Sequence, residues 1–150
     1  MYSKILVPTD GSDMSNKAVT EAARLAKSLG AKLLVLHVRS PIDIPHHVEG
    51  GALSRLGELK LMEEIEGEER TLLDTAVALA ASAGVEAQAA FVAGYLPYDA
   101  IIRVSREQHC DLIVMASHSR PGIQGILIGS EAQKVLTHTA TPVLVIKREE

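Results

Sequence analysis

Lys4-Ile5-Leu6-Val7-Pro8-Thr9 and Lys32-Leu33-Leu34-Val35-Leu36-His37-Val38 are apolar on consecutive positions, not on alternating ones. A strand with one buried face alternates; a strand covered on both faces does not. The two runs therefore predict a parallel sheet with helices above and below it. Between them, Asp10-Gly11-Ser12 is a turn and helix-start signal, and Ala18, Ala22, Leu25, Ala26 and Leu29 recur at helical spacing up to Gly30, a C′ residue.

The same alternation continues to the end of the chain. Residues 39–52 carry Pro41, Pro45, Gly50 and Gly51 and read as a loop. From about Leu53 to Ala83 a long helical pattern runs through Leu56, Leu59, Met62, Ile65, Leu72, Leu73, Ala76 and Ala80, with Gly67 as a point of interruption or kink and Gly84 as its C′ residue. Val85–Val92 is the third strand, and Pro97 opens a helix through about Gln108. Asp111–Ala116 is the fourth strand, Ser117–Ile128 a loop containing Gly122 and Gly125, Gly129-Ser130 the start of a short helix through about Thr137, and Pro142–Lys147 the last strand. Strands joined by crossovers of this length place helices on both faces of an open sheet. A ligand of such a sheet lies outside the carboxyl ends of its strands, where strand order reverses. Ile5-Leu-Val-Pro-Thr-Asp10 and Leu112-Ile-Val-Met-Ala-Ser117 both end a strand in a polar loop and are the candidates to flank that point.

Bulk composition narrows the function. The chain has 150 residues, the span of one domain, with 47% apolar and only 3% aromatic residues, so Ala, Leu, Ile and Val must build the core. A formal net charge of −4 gives no general attraction for nucleic acid or anionic lipid, so a bound phosphate has to be held locally. Cys110 is the single cysteine; it cannot form an internal disulfide, and its place before an apolar run reads as a buried filler. With no secretory signal in Met1–Val7 and no apolar run near the roughly 20 residues of a membrane span, the expected location is the cytoplasm, away from the membrane.

Met115-Ala-Ser-His-Ser-Arg-Pro-Gly-Ile-Gln-Gly-Ile-Leu-Ile-Gly129-Ser130 follows a strand and precedes a helix. A loop of small residues lets backbone N–H groups approach an anion, and the helix N-terminus adds free donors and partial positive charge. Arg120 is suited to phosphate geometry, and Ser130 is either a helix cap or a hydroxyl donor to phosphate; the bland alternative leaves Ser130 as a cap alone and Arg120 in solvent. Asp10, after Pro8 and Thr9, is placed either to accept from ribose hydroxyls or an adenine amino group, or to cap the first helix or the turn before it.

Taken together, Lys4-Ile-Leu-Val-Pro-Thr-Asp-Gly-Ser12, Asp111-Leu-Ile-Val-Met-Ala-Ser-His-Ser-Arg120, Leu127-Ile-Gly-Ser130, Val135-Leu136 and Thr141-Pro-Val-Leu-Val-Ile146 resemble the universal stress protein family in the right order over nearly the whole chain. The resemblance implies an α/β fold over residues 1–150: an open five-stranded parallel sheet in the order 3-2-1-4-5, of the adenine-nucleotide alpha-hydrolase-like type. It also implies a homodimer through Pro142–Ile146 and, in many members, ATP held by a Gly-x2-Gly-x9-Gly-Ser/Thr loop. Here the first glycine is Ala116 and the second Ser119, while Gly129 and Ser130 keep the end of the motif and its spacing. Ala116 adds one methyl; Ser119 matters more if that position needs a positive φ, although its hydroxyl can itself donate to a phosphate. On this reading Asp10, with Pro8 and Thr9, meets ribose or adenine. Val38 holds adenine through its backbone, and Met115 packs on the base. Ala116 stands at the head of the binding loop, and Ser117, His118, Ser119, Arg120, Gly129 and Ser130 hold the phosphates, with Mg²⁺ accompanying a triphosphate.

Other chemistries find less support. His37, His46, His47 and His118 have no Cys partner and no His-x3-His helix pair, so the pattern lacks a transition-metal site. No Gly-x-Ser-x-Gly elbow, Walker loop or Gly-x-Gly-x-x-Gly is present, and Ser117-His118-Ser119 are neighbours in sequence, which is not triad geometry. The expectation is an ATP-binding stress or regulatory module with at most slow hydrolysis; the alternative is a dimeric interaction module with a degenerate pocket. Glu63-Glu64-Ile-Glu66-Gly-Glu68-Glu69 reads as a solvated acidic face or as a docking site for a basic regulatory protein.

Overall fold

The structure, a computed structural model, describes residues 1–41, 51–118 and 128–148, with the side chains of 51–54 left aside. In chain order the elements are β1 (Lys4–Pro8), α1 (Asp13–Leu29), β2 (Lys32–Arg39), α2 (Gly51–Ser82), β3 (Ala87–Ala93), α3 (Pro97–Glu107), β4 (Leu112–Ala116), α4 (Ser130–His138) and β5 (Val143–Ile146). The strands form one five-stranded parallel sheet in the order β3-β2-β1-β4-β5, as the resemblance implied.

The consecutive apolar runs are explained by the two faces of this sheet. Ile5, Val7, Leu33, Val35, Leu112 and Val114 face α1 and α2, while Leu6, Leu34, Leu36, Ile113 and Met115 face α3 and α4. On the first face Ala18, Ala22, Ala23 and Ala26 of α1 are fully buried. Their small side chains let a helix lie close on β-branched strands, which is how a core poor in aromatic residues fills its volume. Ser12 caps α1, its Oγ accepting from Ser15 N at 3.2 Å, and Gly30 ends it with φ +66°, a left-handed conformation that glycine adopts without steric cost.

Among the departures from the sequence reading, two have a clear physical reason. The third strand starts at Ala87 and not at Val85, because the Val85 N–H donates to the Ala80 carbonyl (3.0 Å) and is spent in closing the C-terminus of α2, where Gly84 has φ +86°. Nor does Gly67 interrupt α2, which runs unbroken for 32 residues. A single helical glycine costs about 1 kcal/mol against alanine, too little to break a helix whose second half is anchored by Leu73, Ala76 and Ala80 in the core. From Arg55 to Glu68 no α2 side chain is buried. Of the loop expected at 39–52, Arg39 belongs to β2 and residues 51–52 to α2, while 42–50 lie outside the described part of the chain. Cys110 is buried as expected, and that burial pushes its thiol up from its ordinary value. Among the described residues, no helix is long and apolar enough to cross a membrane.

Asp111 ties the start of the chain to the start of β4. Its carboxylate accepts from Ser3 N (2.8 Å), Ser3 Oγ (2.7 Å) and Lys4 N (2.9 Å). Desolvation alone would raise its pKa; the hydrogen bonds from Lys4 and Ser3 outweigh it and hold the carboxyl below the ordinary 3.8. A carboxylate with a depressed folded-state pKa contributes its stability above the unfolded value and loses it as pH falls through the folded one. Asp111→Asn is therefore expected to lose less stability than the wild type between about pH 7 and pH 3. Denaturant midpoints at the two pH values test this, and parallel losses in both proteins would remove Asp111 from the account of acid sensitivity.

Candidate functional site

β1 and β4 lie side by side but pair over only two positions, Ile5↔Leu112 and Leu6↔Ile113. Beyond Ile113 the two strands diverge, since the chain leaves β1 toward α1 on one face and β4 leads to α4 on the other. The crevice opens there, at the carboxyl ends of β1, β2 and β4, where strand order reverses. It encloses about 210 Å³. Pro8, Val38, Ile101 and Met115 give it an apolar lining, and Thr9, Asp10, Ser15, His118 and Glu131 add polar groups.

The β1 side is built by short hydrogen bonds that follow from its Thr-Asp-Gly-Ser sequence. Thr9 N donates to the Leu36 carbonyl (2.8 Å), so the ladder to β2 extends one residue past β1. The Thr9 hydroxyl, buried, lies 3.0 Å from Ser15 Oγ and accepts from Gly11 N at 3.2 Å. Asp10 Oδ1 accepts from Ser12 N (2.9 Å), an Asx turn that brings the chain into α1. Of the two structural roles open to Asp10 in the sequence, it is thus the turn before the helix that it serves, while Ser12 caps the helix itself. Gly11 has φ +79°, a left-handed conformation that selects glycine, and a Cβ there would lie 2.9 Å from the movable Leu72 Cδ1 on α2.

The β4 side is tied to the start of α4. Ser117 is 2% exposed; its N–H donates to the Ile146 carbonyl (2.9 Å), and its Oγ accepts from Gly129 N (2.8 Å). Gly129, not Ser130, is the cap residue of α4, and it makes no side-chain cap bond. Ser130 is the first residue of the helix and exposed, so its reading as a cap is corrected, and its hydroxyl is free of that duty. A Cβ on Gly129 would lie 2.9 Å from His118 N and 3.1 Å from its carbonyl oxygen. That close approach is a second reason, besides anion access, for a glycine at this point of the motif.

His118 bridges the two sides. Its Nε2 lies 2.9 Å from Ser12 Oγ and 3.7 Å from Asp10 Oδ2. For Asp10, burial would raise the carboxyl pKa, but hydrogen bonds from Ser12 and Ser15 and the neighbouring His118 outweigh it, leaving the group below 3.8 and ionised at neutral pH. Ser12, His118 and Asp10 do not form a nucleophile-activating relay: in such a relay the carboxylate holds Nδ1 while the hydroxyl meets Nε2, and here both meet Nε2.

The structure thus brings Pro8, Thr9, Asp10, Val38, Met115, Ala116 and His118 together around one crevice, with Ser117 locked to Gly129 beside it. Ala116 is buried at its edge, so its extra methyl is accommodated. Ser119 and Arg120 lie outside the described residues, as do Gly122 and Gly125. Sequence reasoning missed Ser15, Pro97, Ile101 and Glu131. Glu131 Oε2 accepts from Tyr98 N (3.1 Å), supplying from α4 the side-chain cap that α3 lacks at Leu96, and Oε1 accepts from Lys134 Nζ at 3.1 Å. The available signals were the Ser12/Ser15 spacing and an acidic residue in the first turn of α4. Among the described residues, no group of three or more His, Cys, Asp and Glu could hold a metal ion.

Comparison with known proteins adds a second, independent line. The family model described as "Universal stress protein family" matches residues 1–147. A universal stress protein of Methanocaldococcus jannaschii is 32% identical over 149 residues, covering 99% of this chain and 84% of the relative. The fold superposes on that of a second protein of M. jannaschii with a TM-score of 0.78 at 25% identity, covering 100% of this chain and 99% of the other. A crystal structure of a universal stress protein in complex with cAMP matches with a TM-score of 0.73 at 26% identity, covering 99% and 98% of the two chains.

Proposed function

The chain belongs to the universal stress protein family, and from that premise we propose that it is a nucleotide-binding stress or regulatory module whose ligand is ATP or a related adenine nucleotide. One observation carries the reading: a crevice with an apolar lining of Pro8, Val38, Ile101 and Met115 is bordered by the first turn of α4, which contributes Glu131 to the lining and is brought against β4 by the bond from Gly129 N to Ser117. The lining suits a flat base, and the helix terminus, with its free N–H groups and partial positive charge, suits a phosphate. A relative's complex with cAMP is in keeping with a nucleotide in this place.

On this reading Val38 presents its backbone to the base, Met115 packs on it, Asp10 accepts from the ribose or the amino group, and Ser117, His118 and Ser130 surround the phosphates, joined by Ser119 and Arg120. Mg²⁺ would arrive with a triphosphate, held chiefly by its oxygens. The protein would act in the cytoplasm through a change of state or partner on binding, without rapid turnover. Two copies would pair through β5, an edge strand on which Leu144 is 42% exposed.

Calorimetric titration of nucleotide-stripped protein with ATP and Mg²⁺ tests the proposal, with Ser130→Ala as comparison. The expected result is micromolar binding that weakens about tenfold in the variant, the worth of one hydrogen bond to a charged oxygen. A folded protein that binds no ATP at millimolar concentration would sink the reading and leave the interaction module with a degenerate pocket.

A further inference from the structure

We propose that His37, which points away from the crevice, is a positioning residue that frees the Val38 peptide to read the base; the proposal rests on the nucleotide reading above. Successive residues of β2 face opposite sides of the sheet. Leu33 and Val35 pack on the α1/α2 face, and His37 follows them there to meet Glu69 of α2. Leu34 and Leu36 pack on the α3/α4 face, and Val38 follows them there to line the crevice.

The peptide groups of β2 also alternate, between its two edges. The Arg39 carbonyl accepts from Gly94 on the β3 side, and the Leu36 carbonyl accepts from Thr9 on the β1 side, so the Val38 N–H points toward β1 as well. In a regular parallel ladder its partner would be the Thr9 carbonyl. That carbonyl is taken instead by the His37 ring, with Nδ1 2.9 Å from Thr9 O. A carbonyl oxygen only accepts, so Nδ1 carries the hydrogen. The Thr9 carbonyl thus accepts from the His37 ring and not from the Val38 N–H, which has no partner among the described residues and belongs to a residue that lines the crevice.

Behind the ring stands a buried ion pair. His37 Nε2 lies 3.9 Å from Glu69 Oε1, and the same oxygen lies 3.3 Å from Arg39 Nε. Glu69 is 7% exposed, the one buried carboxylate among the described residues, and it belongs to the half of α2 that packs on the sheet. A buried carboxylate is retained where it is paired, and the partner here is the Arg39 guanidinium, with the His37 ring beside them beyond hydrogen-bond distance. The bond from the ring to Thr9 thus sets the opening between β1 and β2 into which a base edge would fit.

His37→Asn, His37→Gln and His37→Leu separate this role from packing. Asparagine carries an amide nitrogen near the place of Nδ1, glutamine near that of Nε2, and leucine neither. Binding of ATP and of GTP is measured by calorimetry on each protein, with thermal melting alongside. The wild type is expected to prefer ATP. His37→Leu and His37→Gln should lose about fivefold in ATP affinity with GTP little changed, the worth of one ordinary hydrogen bond, while His37→Asn stays near the wild type. Equal losses for ATP and GTP in all three variants, an unchanged ratio in His37→Leu, or a wild type without preference would each overturn the proposal while leaving nucleotide binding intact. A wild type that binds neither nucleotide would overturn both. If His37→Leu folds poorly, the asparagine and glutamine variants, alike in polarity, decide the matter between them.

Discussion

Gly129→Ala is expected to lose nucleotide binding by more than tenfold and to lower stability by about 1–3 kcal/mol, the usual cost of forcing an extra methyl group into a packed site. Conformation has no part in this: Gly129 has φ −64° and ψ 154°, which alanine adopts freely. Space decides it. The added Cβ would lie 2.9 Å from His118 N, 3.1 Å from its carbonyl oxygen and 3.2 Å from its carbonyl carbon. These are backbone atoms, and they cannot swing aside as the end of a side chain can. The segment is also tied on both sides, by Ser117 N to the Ile146 carbonyl and by Gly129 N to Ser117 Oγ. Relief of the clash has to pull α4 away from β4 and break the second of those bonds, leaving a buried hydroxyl and a buried N–H without partners. Gly67→Ala is the matching control, because an added Cβ there meets nothing within 4 Å. Denaturant unfolding and calorimetry with ATP read the two effects separately; a Gly129→Ala protein that binds like the wild type would show that the start of α4 does not meet the ligand.

The same contrast between local and tertiary information runs through the whole chain. Ile5-Leu6-Val7 and Leu33-Leu34-Val35-Leu36 announce a doubly covered sheet because every one of them is buried, and burial on both faces is written directly in consecutive apolar residues. Pro8, Thr9, Asp10, Val38, Met115 and Ala116 were legible as residues of the crevice for a related reason: they lie at or just beyond strand ends, which mark the crevice in a parallel sheet, and the family resemblance pointed to the same positions. Pro97, Ile101 and Glu131 were not, because they come from helices, and which turn of α3 or α4 leans over the crevice depends on packing that no local pattern encodes. Val85 shows the limit at a boundary. Its β-branched side chain favours a strand, but its N–H is claimed by the Ala80 carbonyl, and a hydrogen bond formed in closing a helix outweighs a propensity of a few tenths of a kcal/mol. His37 is the clearest case of all. In sequence it is one histidine near a strand end, and its significance lies in a carbonyl 28 positions earlier and a carboxylate on α2.

Ile113→Ala is expected to cost about 2–5 kcal/mol of stability, and to show whether crevice and core are one unit. Ile113 is 0% exposed on the sheet face toward α3 and α4, in one cluster with Leu6, Leu36, Ile101 and Met115. It also belongs to the last register pair between β1 and β4, Leu6↔Ile113, after which the strands separate to form the crevice. Truncation removes its packing and leaves a void at that junction, directly before Met115, which is two residues further along the same face. A ligand that binds only the folded protein adds RT ln(1 + [L]/Kd), about 2.7 kcal/mol at a hundred times Kd. At an ATP concentration giving that increment in the wild type, the variant should gain less, because residues in contact couple by about 0.5–3 kcal/mol and a Met115 that settles into the void is a poorer surface for the base. Denaturant midpoints with and without nucleotide, in both proteins, measure the difference. Equal increments would mean that Met115 keeps its place without Ile113, and that the crevice is set by the strand ends alone. A smaller increment in the variant would mean that the strands' last shared rung carries both the stability of the sheet and the shape of the site it opens into.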